Sequence, residues 1–272
     1  MRRIGTGALA LALAAGCARA PPPDLSRDPA PLLLQVRAAQ EGVTSCRGSA
    51  RLSVSSPDLS GSLDAWVAAE RSGRLRVEVF DFFGNPAAVL VAAGGRFALL
   101  DARAGTLHRG EDTPENLSRL LPVPLGARAL ARVICGSVPL LVGQAVAAEP
   151  GDGVVLLEIA GLAGRQVLAV GDGASIVTAS HLPGARGGTP WKAFFSVFRH
   201  VGGHRFPTEV ELRGGGAEIG LRWRDDLEVN VAPDDALFAL DPPRGVRVID
   251  LAPGAPPPPL DLPIRPATRD RP

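Results

Sequence analysis

The residues of this chain able to do chemistry are four histidines, three cysteines and scattered carboxylates. His200 and His204 have the i,i+4 spacing that sets two metal ligands on one face of a helix. Gly202-Gly203 lies between them and strand-like sequence flanks them, so the pair reads as a hairpin turn, and no third ligand stands nearby. His108 and His181 are isolated. Gly-Asp-Gly occurs at 151–153 and 171–173, each time between strand-like runs, where Asp-Gly is turn chemistry. Glu149, Asp152 and Glu158 lack the spacing of a glycosidase pair, no Ser sits in a nucleophile elbow, and there is no glycine-rich phosphate loop. No catalytic residue, metal ligand or cofactor is expected, and the chain does not read as an enzyme.

Cys17 calls for different chemistry. Arg2 and Arg3 precede an uncharged run from Ile4 to Ala15, shorter than the roughly 20 apolar residues that span a bilayer. It fits the apolar region of a signal peptide. The run ends Leu13-Ala14-Ala15-Gly16-Cys17, which resembles a bacterial lipobox with its leucine one place early. On this reading residues 1–16 are removed and Cys17 carries acyl chains that anchor the protein stably to membrane. An ordinary signal peptide cut at an Ala-x-Ala site, with Cys17 a bystander, is the alternative. Ala18 stands where an Asp would retain an enterobacterial lipoprotein at the inner membrane, which favours the periplasmic face of the outer membrane. Residues 17–31, rich in Pro and Ala, read as a tether. Export would place Cys46 and Cys135 where disulfides form. They either pair or remain buried thiols.

The elements around these residues are mostly strands. Leu32, Leu33, Val36 and Ala39 recur at helical spacing within Pro31–Val43, giving an amphipathic helix. Leu75, Val77 and Val79 then alternate with Arg74, Arg76 and Glu78, the pattern of a half-buried antiparallel strand. Short strand-like runs with Gly-rich turns continue to Val231, interrupted by two short helices at Thr113–Leu121 and Gly126–Cys135. The expected fold is mainly β. It is one curved antiparallel sheet, or incomplete β-barrel, of about eleven strands with a helical lid and the N-terminal helix. It occupies residues 32–240. A Pro-rich tail, 241–272, with Pro256–Pro259 in a row, should be extended or disordered. The formal net charge of +1 gives no reason to expect nucleic acid as a partner.

Phe82 and Phe83, in Asp81-Phe82-Phe83-Gly84-Asn85-Pro86, fall where a hairpin tip should be polar. Either they fold back into the core or they mark an interface. Here the chain resembles the LolB family of outer-membrane lipoprotein receptors. Arg74–Val89 is similar to that family's strand–loop–strand, whose large apolar residue before Gly protrudes; Phe83-Gly84 holds that place. Glu115–Pro139, with Pro-Val-Pro-Leu at 122–125, resembles its helical insert. Phe206–Leu212 with Glu218–Arg224 resembles its closing hairpin. The resemblance implies a monomeric open barrel that takes acyl chains of lipoproteins from a periplasmic LolA-like carrier and passes them to the outer membrane, aided by Phe82 and Phe83. The inner-face residues available to line an acyl cavity are Leu75, Val77, Val79, Val89, Val91, Phe97, Leu99, Phe194, Phe198, Ile219, Leu221 and Trp223. The same residues would serve a solidly packed core. A carrier or sensor for another lipid or a glycolipid, or a structural envelope lipoprotein, is the competing reading.

Overall fold

The computed structural model describes residues 20–251, apart from 23, 58, 123 and 186. The signal sequence, Cys17 and Pro256–Pro259 lie outside the described residues. Helix α1 (Pro29–Glu41) leads into a meander of β1 (Ser45–Ser55), β2 (Ser60–Glu70), β3 (Leu75–Phe80), β4 (Pro86–Ala93), β5 (Arg96–Asp101) and β6 (Thr106–Glu111). Helices α2 (Pro114–Ser118) and α3 (Ala127–Ile134) follow. A second meander comprises β7 (Gln144–Pro150), β8 (Val155–Gly161), β9 (Gly164–Val170), β10 (Ile176–Pro183), β11 (Trp191–Val201), β12 (His204–Gly214) and β13 (Ala217–Trp223). The short β14 (Glu228–Val229) pairs with β1, and β15 (Arg247–Asp250) comes last.

The two meanders join where β1 pairs antiparallel with β13, Leu52 opposite Leu221. The sheet order is then β15-β6-β5-β4-β3-β2-β1-β13-β12-β11-β10-β9-β8-β7. Its edges, β15 and β7, do not pair with each other among the described residues, so the sheet stays open as expected. Among the described residues it has 15 strands rather than about eleven. The β7 strand, Gln-Ala-Val-Ala-Ala-Glu-Pro, has little β-branched signal, and β15 sits inside the Pro-rich stretch.

The inner face carries the main core. Alternate residues such as Val67, Leu75, Leu99, Phe195 and Phe206 are buried there. Helix α1 buries Leu32, Leu33 and Val36 against the β7–β8 side. Leu25 is also buried, so the domain begins before residue 32 and the tether is shorter than expected. Helix α2 starts as its sequence predicts: Thr113 Oγ1 accepts from the Asn116 N–H at 3.2 Å, capping a helix with Pro114 in its first turn. Helix α3 ends at Gly136, whose φ of +73° is left-handed. An added Cβ there would lie 2.7 Å from Pro207 Cδ, so only Gly lets this end of the helix meet β12.

The tail departs from expectation over residues 241–251. After a turn at Asp235–Phe238, the chain crosses the outside of the sheet as a strap, and β15 pairs parallel to β6. Polar contacts fasten it: Arg76 Nη1 donates to Leu237 O at 3.0 Å, Arg109 pairs with Asp250 at 2.6 Å, and Arg74 pairs with Asp235. The buried Phe238 ring lies under the Arg74 guanidinium, 4.6 Å away. Leu240 and Val246 pack on a second apolar cluster of Val89, Val91, Leu100 and Leu107. If the strap holds this cluster down, Phe238→Ala should destabilise the fold by about 3 kcal/mol in urea unfolding. Val248→Ala, at an exposed site, should change it by less than about 0.5 kcal/mol. Equal effects from the two would mean the strap contributes nothing specific.

Candidate functional site

Between the inner face and the α2–α3 segment lies a void of about 130 Å³ lined, among the described residues, only by apolar side chains. Strands β1, β2, β3, β4, β5 and β13 provide the walls, through residues such as Leu52, Leu63, Val67 and Leu90. Leu121, Pro122, Leu130 and Ile134 close the remaining side from the helical segment. Helix α3 can do this because Leu130 and Ile134 are one turn apart on one face, while Arg128 and Arg132 occupy another. A cavity of roughly 150 Å³ with comparable lining stays dry and binds a six-carbon ring in a well-studied engineered protein. The void here can therefore hold a short alkyl segment and offers nothing to a polar ligand.

Of the inner-face residues expected at the cavity, Val77, Val79, Leu99, Ile219 and Leu221 line it. Leu75, Phe97 and Trp223 are buried in the same core but away from the void. Val89 and Val91 face the opposite way. In the β3–β4 and β4–β5 register Val77 opposes Leu90 and Leu90 opposes Leu99, whereas Val89 opposes Glu78 and Leu100. Side chains alternate along a strand, so Val89 and Val91 lie on the outer face, under the strap. Every residue from Ala87 to Ala92 is apolar, so the sequence carries no alternation to set the direction. Phe194 also points outward, opposite Glu211 with Arg213 4.9 Å over its ring, and its neighbour Phe195 takes the buried place. Phe198 is half-buried at the core margin with Arg205 4.3 Å over its ring. The helical lid was expected, but Leu121, Pro122, Leu130 and Ile134 were not singled out as its lining, because no sequence signal tells which helix face meets a void.

The β3–β4 loop carries the exposed aromatics. Phe82 is 96% and Phe83 85% exposed, edge to face with centroids 5.6 Å apart. The loop is built to hold them there. The Asp81 carboxylate accepts from the Phe83 and Asn85 N–H groups, both at 2.9 Å, and Gly84 takes φ +81° with open space beside it. The bond from the Asn85 N–H leads in holding the Asp81 carboxyl below its usual range. Val79 and Ala88, on either side of this loop, both line the cavity. Leaving a Phe side chain in water forgoes about 1.5–3 kcal/mol relative to burial, so a turn that fixes two outward suits an interface.

The remaining sequence-singled residues do not assemble a reactive centre. Gly202-Gly203 is the turn of the β11–β12 hairpin; Val201 pairs with His204 and His200 with Arg205, so the two rings lie on opposite faces. Among the described residues no group of three or more His, Cys, Asp or Glu is placed to hold a metal. No helix among them is long and apolar enough to cross a membrane. Cys46 and Cys135 are buried free thiols with sulfurs 3.4 Å apart, where the end of α3 meets β1; Cys135 Sγ also reaches Ala69 O at 3.5 Å. Burial pushes the Cys46 thiol pKa well up, and the bond to Cys135 adds to it.

No protein-family model matches the chain, and no curated protein matches it at a significant level. Solved structures do. A LolA-superfamily protein from Nitrosomonas europaea superposes with a TM-score of 0.54 at 14% identity, over 77% of this chain and 97% of that one. A DUF1329-family protein from Desulfovibrio piger gives 0.52 at 18% identity, over 78% of this chain and 98% of that one. The chain has a LolA/LolB-like fold, as its sequence resemblance implies.

The thiols provide a check on this packing. In the reduced chain from Ala18 onward, both cysteines should resist an aromatic disulfide reagent for many minutes and react at once in denaturant. Rapid reaction of the folded chain would show that α3 does not seal this end.

Proposed function

We propose that this protein is a lipid-anchored receptor of the bacterial outer membrane that takes acyl chains of lipoproteins into its cavity and helps insert them into the bilayer. The observation that carries the reading is one arrangement: a wholly apolar void beneath a helical lid, with two fixed, exposed phenylalanines on the loop between two of its wall strands. The LolA/LolB-like fold and the lipobox-like leader at Cys17 support it. Each methylene leaving water contributes roughly 0.8 kcal/mol, so a segment of six would contribute about 5 kcal/mol. The void as it stands is too small for a full acyl chain. Loading therefore requires Leu121, Pro122, Leu130 and Ile134 to move away from the sheet. A periplasmic LolA-like carrier would present the chains, and no covalent chemistry is involved.

Phe82 and Phe83 act after loading. Aromatic side chains suit the bilayer interface, and a loop held by Asp81 carries them there without reordering. The protein works as a monomer on the periplasmic face, tethered through the short stretch between Cys17 and the buried Leu25. A carrier or sensor for another lipid is the second reading; the small volume favours it, since a single alkyl chain fits with less lid movement.

Phe83→Glu distinguishes the steps. Transfer of a lipoprotein into outer-membrane vesicles should fall at least tenfold, while the folded variant still binds the lipoprotein as wild type does. Transfer at the wild-type rate would remove the loop from the mechanism. Loss of folding would mean the ring is core.

A further inference from the structure

On the side of α3 turned from the cavity, three arginines gather without a counter-ion among the described residues. Arg128 and Arg132 lie one turn apart on α3, and Arg71 follows the end of β2. The stem of Arg128 lies directly over the neighbouring turn: a Cβ on Gly73 would meet its Cγ at 2.9 Å. Burial lowers the Arg132 pKa, and the charges of Arg71 and Arg128 lower it further. Arg132 Nε is buried and has no hydrogen-bond partner among the described residues. No carboxylate among those residues pairs with any of the three.

Arg71 and Arg132 line a polar depression of about 460 Å³, together with Thr44, Ser72 and Glu70. The other polar groups there are engaged. Glu70 is held by Arg74 at 2.6 Å and takes the Ser72 hydroxyl at 3.1 Å, and the Thr44 hydroxyl donates to Asn230 Oδ1 at 3.1 Å. The donors left over are guanidinium N–H groups. A half-buried cation with an unmet donor beside two like charges is unfavourable unless an anion completes it. Guanidinium forks arriving from a helix and a turn suit a tetrahedral oxyanion with several acceptor oxygens better than one planar carboxylate. We propose that Arg71 and Arg132, which line this depression, form a binding site for a phosphate-class oxyanion, free or carried as a lipid headgroup, with Arg128 adding positive charge from the next turn of α3. The site does not depend on the acyl-chain reading, since it lies on a different face of α3.

Isothermal titration calorimetry of inorganic phosphate into the full chain in dodecyl maltoside tests it, with dihexanoyl phosphatidylglycerol as a second titrant. Wild type should bind phosphate saturably. Arg132→Gln and Arg71→Gln should each weaken binding at least tenfold, and Arg165→Gln, on β9, should leave it unchanged. Thermal melting without phosphate checks folding; Arg132→Gln should melt no lower than wild type, because it removes an unpaired charge. Phosphatidylglycerol binding at least tenfold tighter than phosphate, and lost in the same variants, assigns the headgroup as the source; equal or weaker binding assigns the free anion. Absence of saturable binding of both titrants, or binding that survives both substitutions, overturns the site.

Discussion

A sheet that curls without closing has an inner apolar face that it cannot bury against itself. Everything else in this structure answers to that constraint. The two meanders meet at the β1–β13 pairing, and the resulting trough is covered from inside by α1 on the β7–β8 side and by α2–α3 on the other. Helix α1 buries Leu32, Leu33 and Val36 as part of this cover. Under Leu121, Pro122, Leu130 and Ile134 the cover leaves an apolar gap, which is the cavity. Elements joined to the sheet by loops can separate from it without breaking the strand ladder. An unfilled space beneath such elements is the point of entry that the proposed function requires.

The outer face meets the opposite requirement. Most of it is polar and laced with Arg–carboxylate pairs, such as Arg51 and Arg224 on Asp64. Exposed pairs of this kind add little stability. Around β4 and its neighbours the outer face is apolar instead, and the C-terminal strap covers it. The strap buries this outer apolar patch and leaves Phe82 and Phe83 of the β3–β4 loop exposed.

Where one face met water, the sequence was legible. Arg74–Phe80 alternates, and β3 forms as read. Thr113 and Pro114 announced α2, and Gly136 announced the end of α3. Legibility failed where both faces are apolar or where signals are weak. The unbroken apolar run Ala87–Ala92 concealed that Val89 and Val91 turn outward. The adjacent Phe194 and Phe195 offered two choices, and the buried place went to the second. The strand at Arg247–Asp250 was hidden among prolines that argue against sheet, although those prolines lie outside it. The turn pattern left Phe82 and Phe83 either in the core or at an interface, and the family resemblance favoured the exposure that the structure has. That Asp81 fixes the turn, and that Val79 and Ala88 beside it line a void, required the structure.

The central claim is that the void beneath α2–α3 admits acyl chains. Native mass spectrometry of the chain from Ala18 onward, mixed with a triacylated lipopeptide, tests it directly. A one-to-one complex is predicted, and Val77→Trp, which fills the void from its β3 wall, should abolish it without unfolding the protein. No complex, or one that persists undiminished in Val77→Trp, would contradict the claim and leave the void as an incidental packing gap.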